Sequence, residues 1–352
     1  MSQIREWINK GAVLGRHLAI IACILSGGSS YAGPFDADRP HLRKLGTEKG
    51  VRIADFQFPF LVAQSAQVFD ASVDELSRSL HGYLQSRKLP IKGHFSKTGT
   101  SSEQLNREVY RLPASIISGD ELSALTDCTV DDCKMKLHLK MEASKVQRAQ
   151  DKLAAFHDII IDRIRSYLEH KEFRGYENRL NNQEYAKKLV TALGFFQSDY
   201  PEARKFLLED FWKSESLSKV PRNSFLIQEV VRIQSDKMRP IFRIGEFMEF
   251  EEGVKTLYFL LPIYTSHYFD SSARTFEVLP FPQSVRKSIL VVTDIMEVDE
   301  LKKSALIRFL YRNQMQEGIF VFQKEEIAGI SLTIKPNLEG PQANSPPPKT
   351  NP

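Results

Sequence analysis

Ser266, His267 and Asp270 are the residue types from which a hydrolytic site is built, and they lie close together in the sequence. In a Ser-His-Asp triad the imidazole takes the proton of the hydroxyl nucleophile, and the carboxylate orients the imidazole. Triad members come from distant segments, whereas neighbouring residues of a strand point to opposite faces. The sequence also lacks a G-x-S-x-G nucleophile elbow. We therefore predict no catalytic residue, and His267 is a hydrogen-bonded strand-end residue, a ligand-orienting group or a base.

Three tyrosines lie in or beside this motif at even spacing, and each offers apolar area together with one hydroxyl. Tyr258, Tyr264 and Tyr268 can form one row that lines a pocket, or they can pack beneath a helix. Arg274 follows on the returning strand, where it can pair with Asp270, meet the anionic head of a ligand or face solvent. The predicted ligand-binding set is Tyr258, Tyr264, His267, Tyr268, Asp270 and Arg274.

Cys128 and Cys133 are the cysteines that remain once a leader segment, described below, is removed. An even cysteine count in an exported chain indicates a disulfide, which in so short a loop stabilises the fold by roughly 2 kcal/mol. Zinc is the rival interpretation, with His138 as a third ligand, but the C-x4-C spacing and the lack of an obvious fourth ligand disfavour it. Free thiols are the remaining alternative, and no metal site is predicted.

The run from Thr256 to Tyr264 must position these residues, and it is apolar on both faces of a strand. Leu257, Phe259 and Leu261 would face one side, with Ile263 beside them, while the tyrosines and Leu260 would face the other. Neither face can comfortably meet water, so the strand is either sandwiched in a core or lines an apolar cavity. We predict the cavity.

The remaining elements change from helices to strands along the chain. A strand is expected at 51–62, with Pro59 at an edge or bulge, and a helix at 73–86 behind a Ser-x-x-Glu capping box. Further helices are expected at 142–171, from 181 and from Pro201. Antiparallel strands follow between 225 and 297, with a slip at Gly245. A last long helix is expected at 300–316, ended by Gly318, with a short apolar segment at 319–322. This order predicts an α+β fold.

The N-terminus is expected to be a secretory signal peptide of residues 1–32 rather than part of the fold. A basic stretch precedes the apolar segment at 18–25, and Ser30 and Ala32 fit a cleavage site after Ala32. An uncleaved anchor and a lipoprotein modified at Cys23 are the alternatives. The protein is therefore expected to be periplasmic or secreted. Residues 336–352 have no core-forming content and are expected to be disordered.

Composition excludes several classes of function. The chain has 352 residues, 42% hydrophobic and 26% charged, which is ordinary for a globular protein. A formal charge of +4 without a clustered basic face does not fit a nucleic-acid binder. The sequence has no phosphate-binding glycine loop, dinucleotide fingerprint or metal-ligand cluster, so no cofactor is predicted.

The element order resembles the helix-grip arrangement of START-like and polyketide-cyclase-like domains. That resemblance covers residues 51–320 and implies a curved antiparallel sheet that grips the long C-terminal helix and encloses a pocket. The helices at 115–213 would be an insertion, an additional helical lobe. At the level of residues, CTVDDCKMKL at 128–137 together with SHYFDSS at 266–272 resembles an uncharacterised family of exported bacterial proteins, which implies export but no reaction.

These observations predict an exported soluble protein that binds a lipid or other apolar small molecule in an internal cavity, with possible peripheral membrane contact. Whether it is an enzyme is left open. One alternative is a cavity hydrolase or cyclase that uses His267 and Asp270. Another is a cell-envelope scaffold that binds a protein partner through its helical lobe at 142–213.

Overall fold

The computed structural model describes an α+β protein built on one antiparallel sheet. The described residues are 50–57, 60–92, 103, 107, 137–173, 200–212, 221–231, 241–265, 271–282, 284–297 and 305–334. Their strands are β1 (Gly50–Gln57), β2 (Phe60–Phe69), β3 (Lys88–Lys92), β4 (Asn223–Val231), β5 (Ile241–Glu252), β6 (Lys255–Thr265), β7 (Ser271–Phe281) and β8 (Ser284–Glu297). Their helices are α1 (Val73–Gln85), α2 (Leu137–Arg148), α3 (Lys152–His170), α4 (Pro201–Leu208) and α5 (Ala305–Thr333), with a short 3₁₀ turn at Asp210–Trp212.

The eight strands have the order β1-β2-β8-β7-β6-β5-β4-β3, and the assigned pairs are antiparallel. From β4 to β8 each strand pairs with the next one along the chain, as the sequence predicts. The turn between β5 and β6 contains Gly253, whose φ of +64° is a left-handed conformation that glycine adopts without strain. The α+β class is therefore confirmed.

The predicted first strand at 51–62 is wrong, because the chain forms two strands, β1 and β2, in this region. Gln57 and Phe60 are opposite each other, so the two strands form a hairpin. Strand β2 was not predicted because buried polar side chains interrupt its apolar pattern. Gln64 donates a hydrogen bond to Thr293 at 2.9 Å, and Ser65 donates one to Gln323 at 2.6 Å. These partners remove the cost of burying the polar groups.

Helix α1 begins as predicted. The Ser72 hydroxyl accepts a hydrogen bond from the Glu75 backbone N–H, while the Glu75 carboxylate accepts one from the Ser72 N–H. This reciprocal capping satisfies two backbone donors that a helix N-terminus otherwise leaves open.

The predicted helix at 142–171 is wrong in its continuity, because α2 and α3 are separate. Asp151 has extended backbone angles, and its carboxylate caps α3 by accepting from the Ala154 N–H at 3.0 Å. A residue in that conformation ends one helix and begins another. Lys171, with a φ of 57°, then ends α3.

The last helix runs well beyond its predicted end. Helix α5 passes through Gly318 and continues to Thr333, so the predicted end at Gly318 and the separate short segment at 319–322 are both wrong. Its buried residues continue at helical spacing, with Ile319, Phe322, Ile327 and Ile330 among them. A glycine costs a helix only about 1 kcal/mol, which burial of these side chains outweighs.

Each face of the sheet is covered by helices. Leu257, Phe259 and Leu261 of β6 belong to a core that includes buried residues of α2, α3 and α4. On the other face, Tyr258 and Leu260 belong to a second core with α1 and α5. We call these the α3 core and the α5 core. The strand with two apolar faces is thus sandwiched between two sets of side chains.

Candidate functional site

A groove of about 740 Å³ opens between α1 and the ends of β4, β5 and β6. Helix α1 buries Leu76, Leu80 and Leu84 in the α5 core. Residues three, four and seven positions apart share a helix face, so a second, polar face of α1 is directed to the groove. That face consists of Asp74, Ser77, Arg78 and His81.

The sheet provides the floor of the groove. Glu249 and Tyr258 lie opposite each other on β5 and β6, and so do Glu251 and Thr256. Both members of the first pair are buried: the Tyr258 residue is 1% exposed, and the Glu249 side chain is 10% exposed. Ser77 bridges helix and floor by donating a hydrogen bond to the Thr256 hydroxyl at 3.3 Å.

The Glu249 carboxylate is the centre of this floor. Tyr258 Oη donates a hydrogen bond to Glu249 Oε1 at 3.1 Å. The other oxygen, Oε2, lies 3.7 Å from His81 Nδ1, which is too long for a hydrogen bond. Burial, and then the neighbouring Glu249 carboxylate, raises the pKa of Tyr258, so the phenol stays protonated and remains a donor.

The rings of His81 and Tyr258 lie beside the Glu249 carboxylate. The His81 ring centroid lies 6.3 Å from that of Tyr258 and 6.0 Å from that of Phe225. The imidazole is about one-third exposed and therefore lies at the boundary between the α5 core and the groove.

The rim of the groove carries two arginines with different partners. Arg222 forms an ion pair with Glu251, and both side chains are largely exposed. Arg78 donates a hydrogen bond from Nε to the backbone oxygen of Asp74 at 3.3 Å. Within the described residues its guanidinium forms no ion pair.

This arrangement can bind a hydrogen-bond donor more readily than it can hold a metal ion. Glu249 Oε2 faces a groove that water or a ligand can enter, and it has acceptor capacity left. Among the described residues there is no group of three or more His, Cys, Asp or Glu side chains that could hold a metal.

Of the three predicted site residues that the structure describes, Tyr258 lies in the groove, whereas Tyr264 and Arg274 do not. The tyrosine row is not formed as predicted, because Tyr264 belongs to the α3 core. There it packs edge-on against Phe156, with the Arg163 guanidinium 5.0 Å from its ring centroid. Between Tyr258 and Tyr264, the pairing of β6 with β5 shifts register next to Gly245. The extra residue in β6 places Tyr264 on the face of the sheet opposite to Tyr258.

Gly245 is needed at that shift. A Cβ atom there would lie 2.7 Å from the Leu261 carbonyl oxygen and 2.6 Å from Leu260 Cδ1. Only glycine allows so close an approach of the two strands. The sequence predicted a slip within β5 at this glycine, but the extra residue belongs to β6. Strand β5 keeps its alternation, with Ile244 in the α3 core and Phe247 in the α5 core.

Arg274 does not face solvent, contrary to one of the alternatives drawn from the sequence, and its predicted partner Asp270 lies outside the described residues. It is 1% exposed and lies at the centre of a buried ion network between the sheet and α5. It donates from Nε to Asp294 at 2.7 Å and from Nη1 to Glu326 at 2.9 Å and Glu229 at 3.2 Å. This arginine joins strands β7, β8 and β4 to the last helix.

Two further arginines complete the network. Arg243 pairs with Glu229, and Arg87 pairs with Glu326. Among the described residues the network thus matches three arginines with three carboxylates, so their formal charges cancel. Burial alone would raise the pKa of Glu229, but Arg243, Arg274 and Arg87 outweigh it and lower that pKa. For Glu326 burial dominates, and its pKa is raised despite Arg274 and Arg87.

Gln323 attaches α5 to the sheet beside this network. Its amide nitrogen donates to Asp294 Oδ2 at 2.9 Å and to the Ala63 carbonyl at 3.0 Å, while its oxygen accepts from Ser65. Buried polar groups with full sets of partners fix one arrangement of helix and sheet.

Several predictions fall outside the described residues. They include the ligand-binding residues His267, Tyr268 and Asp270, the cysteines Cys128 and Cys133, the signal peptide at 1–32 with Cys23, and the tail at 336–352. The disulfide and the export signal therefore stay predictions. Within the described chain, no helix combines the length and the apolar character required to cross a membrane.

Sequence reasoning missed His81, Glu249 and Arg78. Their one signal is on α1, where polar residues at positions 74, 77, 78 and 81 form a stripe beside the apolar one. A polar stripe on a helix is ordinarily a solvated surface. Here the polar stripe lines a groove together with Glu249, which lies on a strand far away in the sequence.

Comparison with known proteins found no matching family model and no match among curated proteins. The resemblances to START-like domains and to an uncharacterised exported family therefore stay predictions.

Proposed function

We propose that the protein binds a small polar molecule in the groove between α1 and strands β4 to β6. The observation that carries this proposal is the Glu249 carboxylate, whose side chain is 10% exposed although Oε2 accepts no hydrogen bond among the described residues. A buried charged group with an unmet hydrogen bond is costly unless a partner or water supplies it. A ligand with a donor group would supply it.

The size and lining of the groove support this role. Small-molecule sites usually have volumes of about 300–1,000 Å³, and a few well-placed polar groups fix the orientation of the ligand. The groove has about 740 Å³. Tyr258 holds one carboxylate oxygen of Glu249 in place, so the other is presented in a fixed direction.

A thermal-shift screen of the purified protein tests the proposal. The panel would contain sugars, amino acids, small amines and fatty acids. A ligand at a hundred times its Kd stabilises the folded protein by about 2.7 kcal/mol, which is a measurable rise in Tm. We expect a polar compound to stabilise the wild type and to lose this effect in Glu249→Gln.

The matched control is Glu317→Gln, which removes an exposed carboxylate on α5. It should respond to the ligand as the wild type does. If no compound stabilises the wild type more than Glu249→Gln, the groove is not a binding site and the proposal fails.

An apolar ligand, as expected from the sequence, is a second candidate. The observation that favours it is the burial of β6 on both faces. The side chains next to β6 are packed into the α3 and α5 cores, which gives this candidate less support than the polar groove. Mass spectrometry of the purified protein tests it. A co-purifying lipid retained equally by the wild type and Glu249→Gln would favour this candidate over the groove.

The helix-grip arrangement is proposed at the level of the fold. Gln323 and Glu326 of α5 bond to residues of β2, β7 and β8, and α1 packs beside α5. These contacts support a sheet that curves around the last helix. An experimental structure in which α5 leaves the sheet while the strands stay paired would contradict the grip.

The two other functions stay predictions: His267 and Asp270 lie outside the described residues, and no contact with a protein partner tests the helical segment. A hydrolase or cyclase would use His267 and Asp270, and an unchanged turnover in His267→Ala on an ester panel would remove that residue from the mechanism. A scaffold would bind a protein through residues 142–213. Failure of the intact protein to form a complex in cell-envelope extract, judged by size exclusion, would count against it.

A further inference from the structure

The groove holds ionised groups of both signs, and their pairing is incomplete. Arg222 and Glu251 neutralise each other at the rim. Asp74 lies in the first turn of α1, where a carboxylate is stabilised by the helix dipole. Among the described residues that line the groove, two groups have no charged partner of comparable strength: the buried Glu249 and the exposed Arg78.

The Glu249 end is suited to a cation. Its Oε2 is open to the groove, and the His81 and Tyr258 rings stand on either side of the helix–sheet boundary there. An ammonium group donates to a carboxylate, and a quaternary ammonium is additionally attracted by aromatic faces. A carboxylate or phosphate would instead be repelled from this end.

The Arg78 end is suited to an anion. Arg78 precedes His81 by one turn of α1, which places the two Cα atoms about 4.5 Å apart along the helix axis. Its Nε donates to the Asp74 carbonyl, which ties the side chain to α1 where the helix lines the groove. The planar guanidinium can donate two parallel hydrogen bonds to a carboxylate or phosphate.

We propose that the occupant of the groove is a zwitterion, with its ammonium group at Glu249 and its carboxylate or phosphate at Arg78. This inference rests on the proposed binding function and names its ligand class. A free betaine or amino acid has this chemistry, and so has a phosphocholine or phosphoethanolamine headgroup. The same groove would accept either source because both carry the two charges a few bonds apart.

Isothermal titration calorimetry at pH 8, above the ordinary pKa of histidine, tests the inference. The probes are glycine betaine and glycerophosphocholine as zwitterions, choline as a cation, inorganic phosphate as an anion, and glucose as a neutral compound. We expect a zwitterion to bind more tightly than any single-charge or neutral probe. Phosphatidylcholine vesicles, compared with glycerophosphocholine, distinguish a membrane headgroup from a free molecule.

Two variants assign the two ends. Glu249→Gln should weaken binding of the zwitterion by roughly ten- to hundredfold, because it removes the buried negative charge that attracts the ammonium group. Arg78→Gln should weaken it by about two- to fivefold, since the arginine is exposed. Arg286→Gln, an exposed arginine at the start of β8, is the matched control and should leave binding unchanged.

The outcomes separate this inference from the function on which it rests. Choline binding that matches zwitterion binding and ignores Arg78→Gln would overturn the zwitterion while the groove remains a binding site. Glucose as the tightest ligand, sensitive to Glu249→Gln, would do the same. If no probe or screened compound depends on Glu249, both the zwitterion and the binding function fail.

Discussion

Glu229 and Glu249 are buried carboxylates on the same face of one sheet, yet their surroundings differ. Glu229 contacts Arg243 and Arg274, with Arg87 nearby, and it lies in a network whose charges are matched. Glu249 has a phenol on one oxygen and a groove in front of the other. A buried carboxylate whose partners are all in place maintains the structure. A buried carboxylate with one oxygen left to accept a hydrogen bond has capacity for a ligand.

Removal of Arg274 should give the largest effect. Arg274→Met leaves Asp294, Glu326 and Glu229 without their shared partner and should lower the free energy of unfolding by about 3–5 kcal/mol. Urea denaturation followed by circular dichroism measures it. Arg222→Met, which breaks an exposed pair at the groove rim, should cost no more than about 1 kcal/mol. Equal losses in the two variants would erase the distinction between network and groove.

Glu229→Gln should show how the network depends on pH. The lowered pKa of Glu229 means that its stabilising contribution is present above the ordinary glutamate pKa of about 4.3 and is lost as the pH falls through the folded value. The difference in unfolding free energy between wild type and variant should therefore be largest near pH 7 and shrink below about pH 4.

The raised pKa of Glu326 has the opposite effect on the pH dependence of stability. Its contribution is present at low pH and decreases as the pH rises through the folded pKa, so it cannot imitate the loss expected for Glu229. A penalty for Glu229→Gln that stayed constant from pH 7 to pH 3 would contradict the assigned pKa shift.

Gly82 of α1 and Gly329 of α5 differ in the space around them, and alanine substitutions there test how tightly the two helices pack. A Cβ at Gly329 would lie 2.8 Å from the Tyr83 ring, whereas a Cβ at Gly82 would meet nothing within 4 Å. Gly329→Ala should destabilise the protein by about 1–3 kcal/mol through overpacking. Gly82→Ala should stabilise it by up to about 1 kcal/mol through helix propensity. Thermal unfolding of both variants measures the difference, and stabilisation of both would show that the helices separate easily.

Glu249→Gln should give the smallest change in stability and the clearest change in binding. The amide oxygen can still accept the Tyr258 hydrogen bond, so the free energy of unfolding should change by less than about 1 kcal/mol. Chemical denaturation without ligand measures this. A loss as large as that of Arg274→Met would place Glu249 among the structural charges.

Local features of the fold were predictable, and long-range ones were not. The Ser72–Glu75 cap and the antiparallel order of β4 to β8 depend on residues close in sequence, and both are present. Strand β2 was missed because the polar residues Gln64 and Ser65 interrupt its apolar pattern. Their partners, Thr293 and Gln323, lie at the other end of the chain.

The site was hidden from the sequence for the same reason. Tyr258 was predicted as a site residue, but the carboxylate and the imidazole that give it a role lie on β5 and α1. Arg274 was predicted to bind a ligand or to face solvent, whereas it is buried against Glu229, Asp294 and Glu326, which come from three separate elements. Periodicity shows which face of a strand is buried, and it does not show what covers that face.

The pairing of β2 with β8 has a consequence for synthesis of the chain. Gln64 and Thr293, which meet across these strands, are separated by 229 positions. A ribosome must therefore complete most of the polypeptide before β2 can find its neighbour, and contacts of such long range slow folding. The sheet of the nascent chain therefore stays incomplete until β8 has been synthesised.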